Sequence, residues 1–192
     1  GMKKASKLGK EWHEQAAAVE AYVVKTQDVG FSTFTATGST DAISGASLTV
    51  KGFFALVNKA LASAPVAKGI YRKDGWYFKE QADFDKNTSW KDSVLVTVVN
   101  GTVVDVLWNG TSSDAKKKSK LVEAKEGRYG MAKAAKQGEW DVQAAAVQAA
   151  ILKAQDPSKI PLKPDTTTDA ITGASIHATA VVLAVEALKP AR

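Results

Sequence analysis

Apolar side chains recur at helical spacing in two stretches of the chain, 11–25 and 139–153, each with a polar opposite face. Both stretches are predicted to be amphipathic helices. The apolar positions are Trp12, Ala16, Val19 and Val23 in the first stretch and Trp140, Ala144, Val147 and Ile151 in the second. A loop follows each helix, and the second loop contains prolines that exclude a regular helix. Further helices are predicted over about 45–62 and about 173–188.

The middle of the chain has a different pattern, which predicts strands. Apolar and β-branched residues flank Asp74-Gly75 and again flank Asn100-Gly101. Both dipeptides favour tight hairpin turns, because their residues tolerate positive φ. Residues 69–108 are therefore predicted to form four antiparallel strands: two around Asp74-Gly75 and two around Asn100-Gly101. Residues 114–137 are predicted to be helical.

An internal repeat organises the chain. Residues 11–64 align with 139–192 without a gap, and the agreement is strongest between 40–47 and 168–175. The preceding loops, 29–39 and 157–167, share no residue in that alignment. A segment that is kept while its neighbouring loop changes is under a constraint of its own, so the two segments are interpreted as copies of one functional module.

The repeat sets the expected domain organisation. Residues 65–138 have no earlier counterpart, so 65–192 is predicted to be a complete module and 1–64 the C-terminal, helical half of another. The chain is thus expected to begin inside a first module. The predicted fold class is α+β, with an antiparallel sheet of about four strands, packed helices and an N-terminal helical half-repeat.

The repeated segments at 41–47 and 169–175 place small residues and a hydroxyl where a helix is predicted to start. In that position Thr172 or Asp169 can cap the helix, and Gly173 with Ala174 allows another group to approach the backbone. A phosphate at Ser175 would then meet unpaired N–H groups and the positive end of the helix dipole. A plain helix start is the competing interpretation of either copy alone.

Charge and composition narrow the possible functions. The net charge is +6, and the cluster at Lys116, Lys117, Lys118 and Lys120 is interpreted as a solvated helix face. No aromatic or helix-turn-helix motif accompanies this charge, so nucleic acid is not an expected partner. The absence of cysteine excludes disulfides and thiolate metal sites. The two histidines, His13 and His177, are expected to be ordinary residues of helix surfaces, and no metal site is predicted.

The repeated segment resembles the flavinylation motif of the FMN-binding domain family, D-x-x-(S/T)-G-A-(S/T). The resemblance extends to the Lys73–Tyr77 hairpin, the strands around Asn100-Gly101 and the helix start at 139–143. It implies covalent FMN, attached through its phosphate to the last hydroxyl of each motif. The family commonly has threonine at that position, whereas this chain has serine in both copies. The implied cofactor-binding residues are Ser47, Ser175, Asp41, Asp169, Ser44, Thr172, Gly45, Gly173, Ala46 and Ala174.

The same resemblance implies a role and a set of partners. The chain is expected to be an electron carrier rather than an enzyme in its own right, located outside the cytoplasmic membrane and anchored at the cell surface or membrane through a removed N-terminal segment, as in surface lipoproteins. Expected partners are a flavin transferase, a membrane redox donor such as a quinone-linked dehydrogenase, and an extracellular electron acceptor. The alternatives are a cell-surface interaction module that kept the fold without flavin, and a flavin-dependent reductase.

Two expectations concern how the modules hold a flavin. The five tryptophans are candidates for a wall against the flavin ring, although core packing is the competing role for each: Trp12, Trp76, Trp90, Trp108 and Trp140. The helical half-module must bury its apolar faces, either within the chain or in a homodimer. Because the sheet belongs to 65–192, Ser175 is expected to lie in the better-formed site and Ser47 in the poorer one.

Overall fold

The computed structural model describes residues 1–192, which divide into two compact units, Gly1–Pro65 and Val66–Arg192. The first unit is helical, with α1 at Met2–Ala5, α2 at Trp12–Thr26 and α3 at Lys51–Leu61. A capping box between Glu11 and Glu14 starts α2. The helix ends where Gln27 adopts the left-handed conformation, with φ +55°.

The core of the first unit is small and aromatic. Phe54 of α3 is fully buried and stacks with Phe31 and Phe34 from the loop that follows α2, with ring centroids 4.9 and 5.9 Å away. Val19 of α2 and Ile43 complete the centre of this cluster. The loop aromatics therefore serve as the packing partner that a lone helix pair lacks.

The second unit contains a three-stranded antiparallel sheet in the order β1-β2-β3. The strands are β1 at Gly75–Glu80, β2 at Trp90–Val99 and β3 at Thr102–Ser112. Asn100 and Gly101 form the β2–β3 turn with φ of +49° and +73°, as two positive-φ hairpin positions require. This predicted turn is confirmed.

Helices cover one face of that sheet. They are α4 at Lys120–Lys125, α5 at Trp140–Ala154 and α6 at Thr179–Ala187, with short 3₁₀ turns at Pro157–Lys159 and Lys189–Ala191. β2 alternates buried and half-buried side chains, so Val94, Val96 and Val98 point into the core. The opposite face is open, and it exposes Trp76, Phe78 and Leu107.

The prediction of a strand at 69–72 was wrong. This segment crosses the β2–β3 turn instead: the Gly69 and Tyr71 amides donate to the carbonyls of Asn100 and Gly101 at 2.8 and 3.0 Å. The Asp74-Gly75 hairpin is absent as well. The Asp74 carboxylate accepts hydrogen bonds from the Asn100 and Gly101 amides at 2.8 and 2.9 Å, so Asp74 caps the other turn. The sheet consequently has three strands where four were expected.

Three predicted helices are shorter in the structure. α3 and α6 begin at Lys51 and Thr179, about six residues after the predicted starts, because the repeated segment folds as a loop. In the predicted helix 114–137 only α4 forms. Gly127 and Gly130, with φ of +71° and +81°, interrupt it. The α+β fold class is confirmed despite these differences, and none of the helices has the length and apolar character needed to span a bilayer.

Candidate functional site

The two repeated segments form the same loop, which we call the acceptor loop and define as residues 40–47 and 168–175. A turn closes each loop, with the Ala46 amide donating to the Ile43 carbonyl and the Ala174 amide to the Ile171 carbonyl, both at 3.3 Å. The glycine within each turn has a left-handed backbone, with φ +88° at Gly45 and +87° at Gly173. A side chain at either position would be strained, which accounts for glycine in both copies.

The acceptor loop is not the start of a helix, which corrects the expectation for both serines. Ser175 lies four residues before α6, whose N-cap is Ala178, and neither Asp169 nor Thr172 caps that helix. Ser47 precedes α3 by the same distance. A phosphate at these serines would therefore not occupy a helix N-terminus. The loop is held instead by its own hydrogen bonds, among them that of the buried Thr168 hydroxyl, which accepts from the Ala170 amide at 3.1 Å.

Both candidate acceptor hydroxyls are accessible. Ser47 and Ser175 are exposed, as are Ser44, Thr172 and the two acidic residues of the motif. Asp169 forms an ion pair with Lys163 at 2.8 Å, and this partner raises the pKa of Lys163. Asp41 is also exposed. The small residues behave differently, since Ala46 is buried and Ala174 is half-buried against the core.

A glutamine that sequence reasoning missed fixes each acceptor serine. The side-chain oxygen of Gln143 accepts hydrogen bonds from the Ser175 amide at 2.8 Å and from the Ser175 hydroxyl at 3.1 Å. Gln15 makes the same two contacts with Ser47, at the same two distances. Both glutamines are fully buried. The signal was present in the sequence, because Gln15 and Gln143 occupy equivalent positions of the repeat.

In the second unit Ser175 lies at the edge of a cavity of about 530 Å³. This volume falls in the range of ordinary small-molecule sites. Its walls carry four aromatic side chains from β2, β3, α5 and the segment after α4: Trp90, Trp108, Trp140 and Tyr129. Trp108 and Trp140 meet edge to face with centroids 5.1 Å apart. Three of the five candidate tryptophans therefore surround one cavity, while Trp76 lies on the open face of the sheet and Trp12 in the first unit.

One buried polar atom of a residue that lines the cavity has no partner. The indole N–H of Trp108 is buried and makes no hydrogen bond within the protein. A buried donor without an acceptor costs free energy, about 1–3 kcal/mol. A ligand carbonyl or ring nitrogen would satisfy it, so the orphan donor fits a heteroaromatic ligand such as flavin.

A buried ion pair lies in the same cavity. Lys120 donates to Asp92 at 2.8 Å, and both side chains are about nine-tenths buried. The Lys120 ammonium also lies 4.8 Å from the centre of the Trp140 ring and 5.6 Å from that of Tyr129. Lys120 was expected on a solvated helix face, and that expectation was wrong. Lys116, Lys117 and Lys118 are exposed, but they precede α4 rather than belonging to a helix.

The phenol of Tyr129, in the cavity wall, has a raised pKa. Burial raises the pKa of its phenol to about 12, with smaller contributions from Asp92 and Glu139. Tyr129 thus stays neutral at physiological pH and can donate a hydrogen bond.

His177 also lines the cavity, exposed and in the loop before α6, with Nδ1 2.5 Å from the Asp165 carbonyl oxygen. The expectation that it lies on a helix surface was wrong, whereas His13 does lie in α2.

The first unit has a less enclosed surface at the equivalent place. Ser47 borders a concave region of about 360 Å³ that contains no aromatic side chain, lined by Met2, Ala5, Ser6 and Lys7. Trp12 is 63 % exposed, whereas its repeat equivalent Trp140 is 2 % exposed. The acceptor loops are thus alike, and the surroundings of the two serines differ.

A sequence model for the FMN-binding domain matches residues 3–62, which include the first acceptor loop and Ser47. The chain belongs to the FMN-binding domain family. This membership supports a flavin-binding role with FMN as the cofactor. The match lies in the first unit, and the second unit repeats its loop and glutamine geometry.

Two solved structures of clostridial proteins are similar to this chain. A solution structure of a Clostridium thermocellum protein is 40% identical, covering 62% of this chain and 92% of its own, with a TM-score of 0.47. A crystal structure from Clostridium perfringens is 20% identical, covering 64% and 89%, also with a TM-score of 0.47. No protein of curated function matches the chain.

Proposed function

We propose that the protein is an electron carrier that holds FMN covalently, through phosphoester bonds to the hydroxyls of Ser175 and Ser47. The observation that carries the proposal is the position of Ser175. Its exposed hydroxyl borders an aromatic cavity of about 530 Å³ whose wall contains an unpartnered indole N–H. A tether at the edge of such a cavity leaves the flavin ring free to enter it.

Attachment requires a transferase and an activated flavin. In the proposed step the serine Oγ–H bond breaks and its proton passes to a base of the transferase. An Oγ–P bond forms, and the P–O bond of a flavin dinucleotide's pyrophosphate breaks, releasing a nucleoside monophosphate. No electrons are exchanged in this step. The protein's part is to present a reachable hydroxyl on a fixed loop, and both acceptor loops do so.

Bound flavin would supply reversible redox chemistry, and the residues of the cavity would orient and tune it. Trp90, Trp140 and Tyr129 offer aromatic surface for the ring, and the Trp108 indole N–H offers a donor to one of its polar atoms. Lys120 places a positive charge in the same wall, which favours added electrons.

We further propose that the carrier works outside the cytoplasmic membrane, anchored at the cell surface. It would take electrons from a membrane donor such as a quinone-linked dehydrogenase and pass them to an extracellular acceptor. The net charge of +6 suits a protein that lies against an anionic surface. Fractionation of the native host, followed by detection of the chain in membrane or wall fractions, tests the location. Recovery from the cytosol alone would contradict it.

Co-expression with a flavin transferase tests the attachment. With excess transferase, intact-mass measurement is expected to show two FMN-sized increments, and peptide mapping is expected to place them on Ser175 and Ser47. Ser175→Ala and Ser47→Ala should each remove one increment, while a threonine at either position should keep it. Full labelling of the double alanine variant would refute these acceptors.

The rival functions predict other outcomes. An interaction module without flavin predicts that protein purified from its native host carries no flavin mass. A reductase predicts turnover of a small substrate beyond simple electron exchange, which steady-state assays with a reduced flavin donor would detect.

A further inference from the structure

The same glutamine contact occurs in both units, and it involves the very atom that would be modified. In each unit one side-chain oxygen accepts from the backbone N–H and from the hydroxyl of the acceptor serine. The distances are 2.8 and 3.1 Å for Gln143 with Ser175 and for Gln15 with Ser47. Fixing the loop alone would require only the bond to the backbone N–H.

The orientation of each glutamine amide is fixed at both ends. A backbone N–H can only donate, so the atom that faces the serine amide must be the amide oxygen. The Gln143 amide nitrogen donates to the Gly138 carbonyl at 3.0 Å, and that of Gln15 donates to the Lys10 carbonyl at 3.2 Å. Since a carbonyl can only accept, the amide cannot be reversed without losing bonds at both ends.

This orientation determines what the serine hydroxyl can do. Because it faces an oxygen that only accepts, the hydroxyl must donate its one proton to the glutamine. The lone pairs of Oγ are then directed away from the buried glutamine. Both glutamines are fully buried and both serines are exposed, so the free lone pairs lie on the accessible side.

We propose that Gln143 and Gln15 are positioning residues that hold the acceptor hydroxyl ready for flavin transfer. The proposal rests on the covalent attachment proposed above. The bond to the hydroxyl exists only before attachment, because a phosphoester oxygen has no proton to donate. The bond to the serine amide remains and keeps the loop in place. The glutamine therefore favours the approach of the phosphorus atom without touching the flavin.

Methionine substitution of the glutamines tests this role, because methionine matches glutamine in length but cannot accept these bonds. In the full chain, Gln143→Met is expected to lower the maximal rate of labelling at Ser175 about tenfold, because the hydrogen bond that directs the Ser175 hydroxyl is lost. Labelling at Ser47 in the same molecules should not change. Gln15→Met should give the reciprocal result.

A matched control separates positioning from general loss of stability. Gln148 lies on the same helix, and its oxygen accepts from the Trp108 amide at 2.7 Å, so Gln148→Met makes the same side-chain change and removes a hydrogen bond away from the acceptor loop. It should leave the labelling rate at Ser175 unchanged at temperatures where both variants are folded. Hydrogen exchange of the Ser175 amide should accelerate in Gln143→Met and not in Gln148→Met.

The outcomes distinguish the positioning role of the glutamines from the covalent attachment on which it rests. Equal labelling rates in the two methionine variants would overturn the positioning role and leave covalent attachment intact. A change only in the transferase concentration for half-maximal rate would also overturn it, since that indicates a docking contact. If neither serine of the unsubstituted chain is labelled, covalent attachment itself fails, and the role of the glutamines fails with it.

Discussion

The two units share one acceptor loop but surround it differently. Both have the left-handed glycine, the buried glutamine and the exposed serine at matching distances. Only the second unit has a sheet, and the side chains that face it are buried there: Trp140 is 2 % exposed and Ala184 fully buried. Their equivalents Trp12 and Leu56 are 63 % and 69 % exposed. The loop thus forms with or without a sheet, whereas the cavity requires the sheet.

The largest expected difference between the units is in flavin labelling. Ser175 adjoins an aromatic cavity and Ser47 does not, so a transferase in limiting amount should label Ser175 first. Site-resolved peptide mass spectrometry during a time course measures this. Preferential labelling of Ser47 would show that the sheet is unnecessary for attachment and that the helical unit holds the better acceptor.

Trp140 and its repeat equivalent Trp12 should contribute very differently to stability, because only Trp140 packs against the sheet. Trp140→Ala is expected to lower the free energy of unfolding of the second unit by about 3–5 kcal/mol, because it empties a buried contact with Trp108. Trp12→Ala should cost less than about 1 kcal/mol, as for an exposed side chain. Urea denaturation followed by hydrogen exchange in peptides of each unit provides the measurement. Similar losses would mean that Trp12 is covered in solution.

Lys120 should raise the midpoint potential of a flavin at Ser175 and have no effect on one at Ser47. Lys120 has a counter-ion in Asp92 but still places positive charge beside the aromatic wall. Lys120→Met is expected to lower the midpoint potential of the Ser175 flavin by about 30 mV, which for two electrons corresponds to about 1.4 kcal/mol. The Ser47 flavin should not respond.

A double variant controls for the carboxylate that Lys120→Met leaves unpaired. Lys120→Met/Asp92→Asn removes both charges and should return the potential towards the original value. Spectroelectrochemistry of singly labelled proteins, made with Ser47→Ala or Ser175→Ala, gives each potential separately. An unchanged potential in the single variant would show that Lys120 has only a structural role.

The smallest expected effect is on acid stability. Hydrogen bonds from the Ser158 hydroxyl and amide, with the charge of Arg192, lower the pKa of Asp156. A lowered pKa stabilises the fold above the unfolded value, near 3.9, and this contribution disappears as the pH falls through the folded pKa. Asp156→Asn should therefore cost about 1 kcal/mol or less at neutral pH, and this cost should shrink as the pH falls through the folded pKa.

The repeat supplies the control for this effect. Asp28, the equivalent of Asp156, is exposed, and Asp28→Asn should leave the first unit unaffected at neutral or acid pH. Thermal unfolding of both variants across the acid range would test the difference. Equal effects of the two substitutions would show that the contacts of Asp156 do not persist in solution.

The sequence predicted features whose determinants are local. Helices α2 and α5 lie within a residue or two of their predicted positions, because apolar spacing alone defines them. Asn100-Gly101 forms the expected turn, because its conformational preference is intrinsic. The repeat identified the segments 40–47 and 168–175 as special, although it did not show that they fold as loops.

The errors share a long-range cause. Residues 168–175 carry the residues of a helix start, yet they are held by Gln143, 32 residues earlier, and the helix begins only at Thr179. Asp74-Gly75 is a favourable turn pair, but the Asp74 carboxylate is engaged by the distant Asn100 and Gly101 amides. Lys120 was misplaced because its partner Asp92 lies on another element. Propensity cannot anticipate such partners.

The glutamine–serine contact also bears on which sequence changes each module can tolerate between the glutamine and the serine. The segments 29–39 and 157–167 differ at every position, one aromatic and the other rich in proline, yet each glutamine lies 32 residues from its serine. Substitution within 29–39 and 157–167 is therefore tolerated, while both copies keep the same number of residues between the glutamine and its serine. The two copies are thus matched by the 32-residue distance between the glutamine and the serine as well as by the short motif.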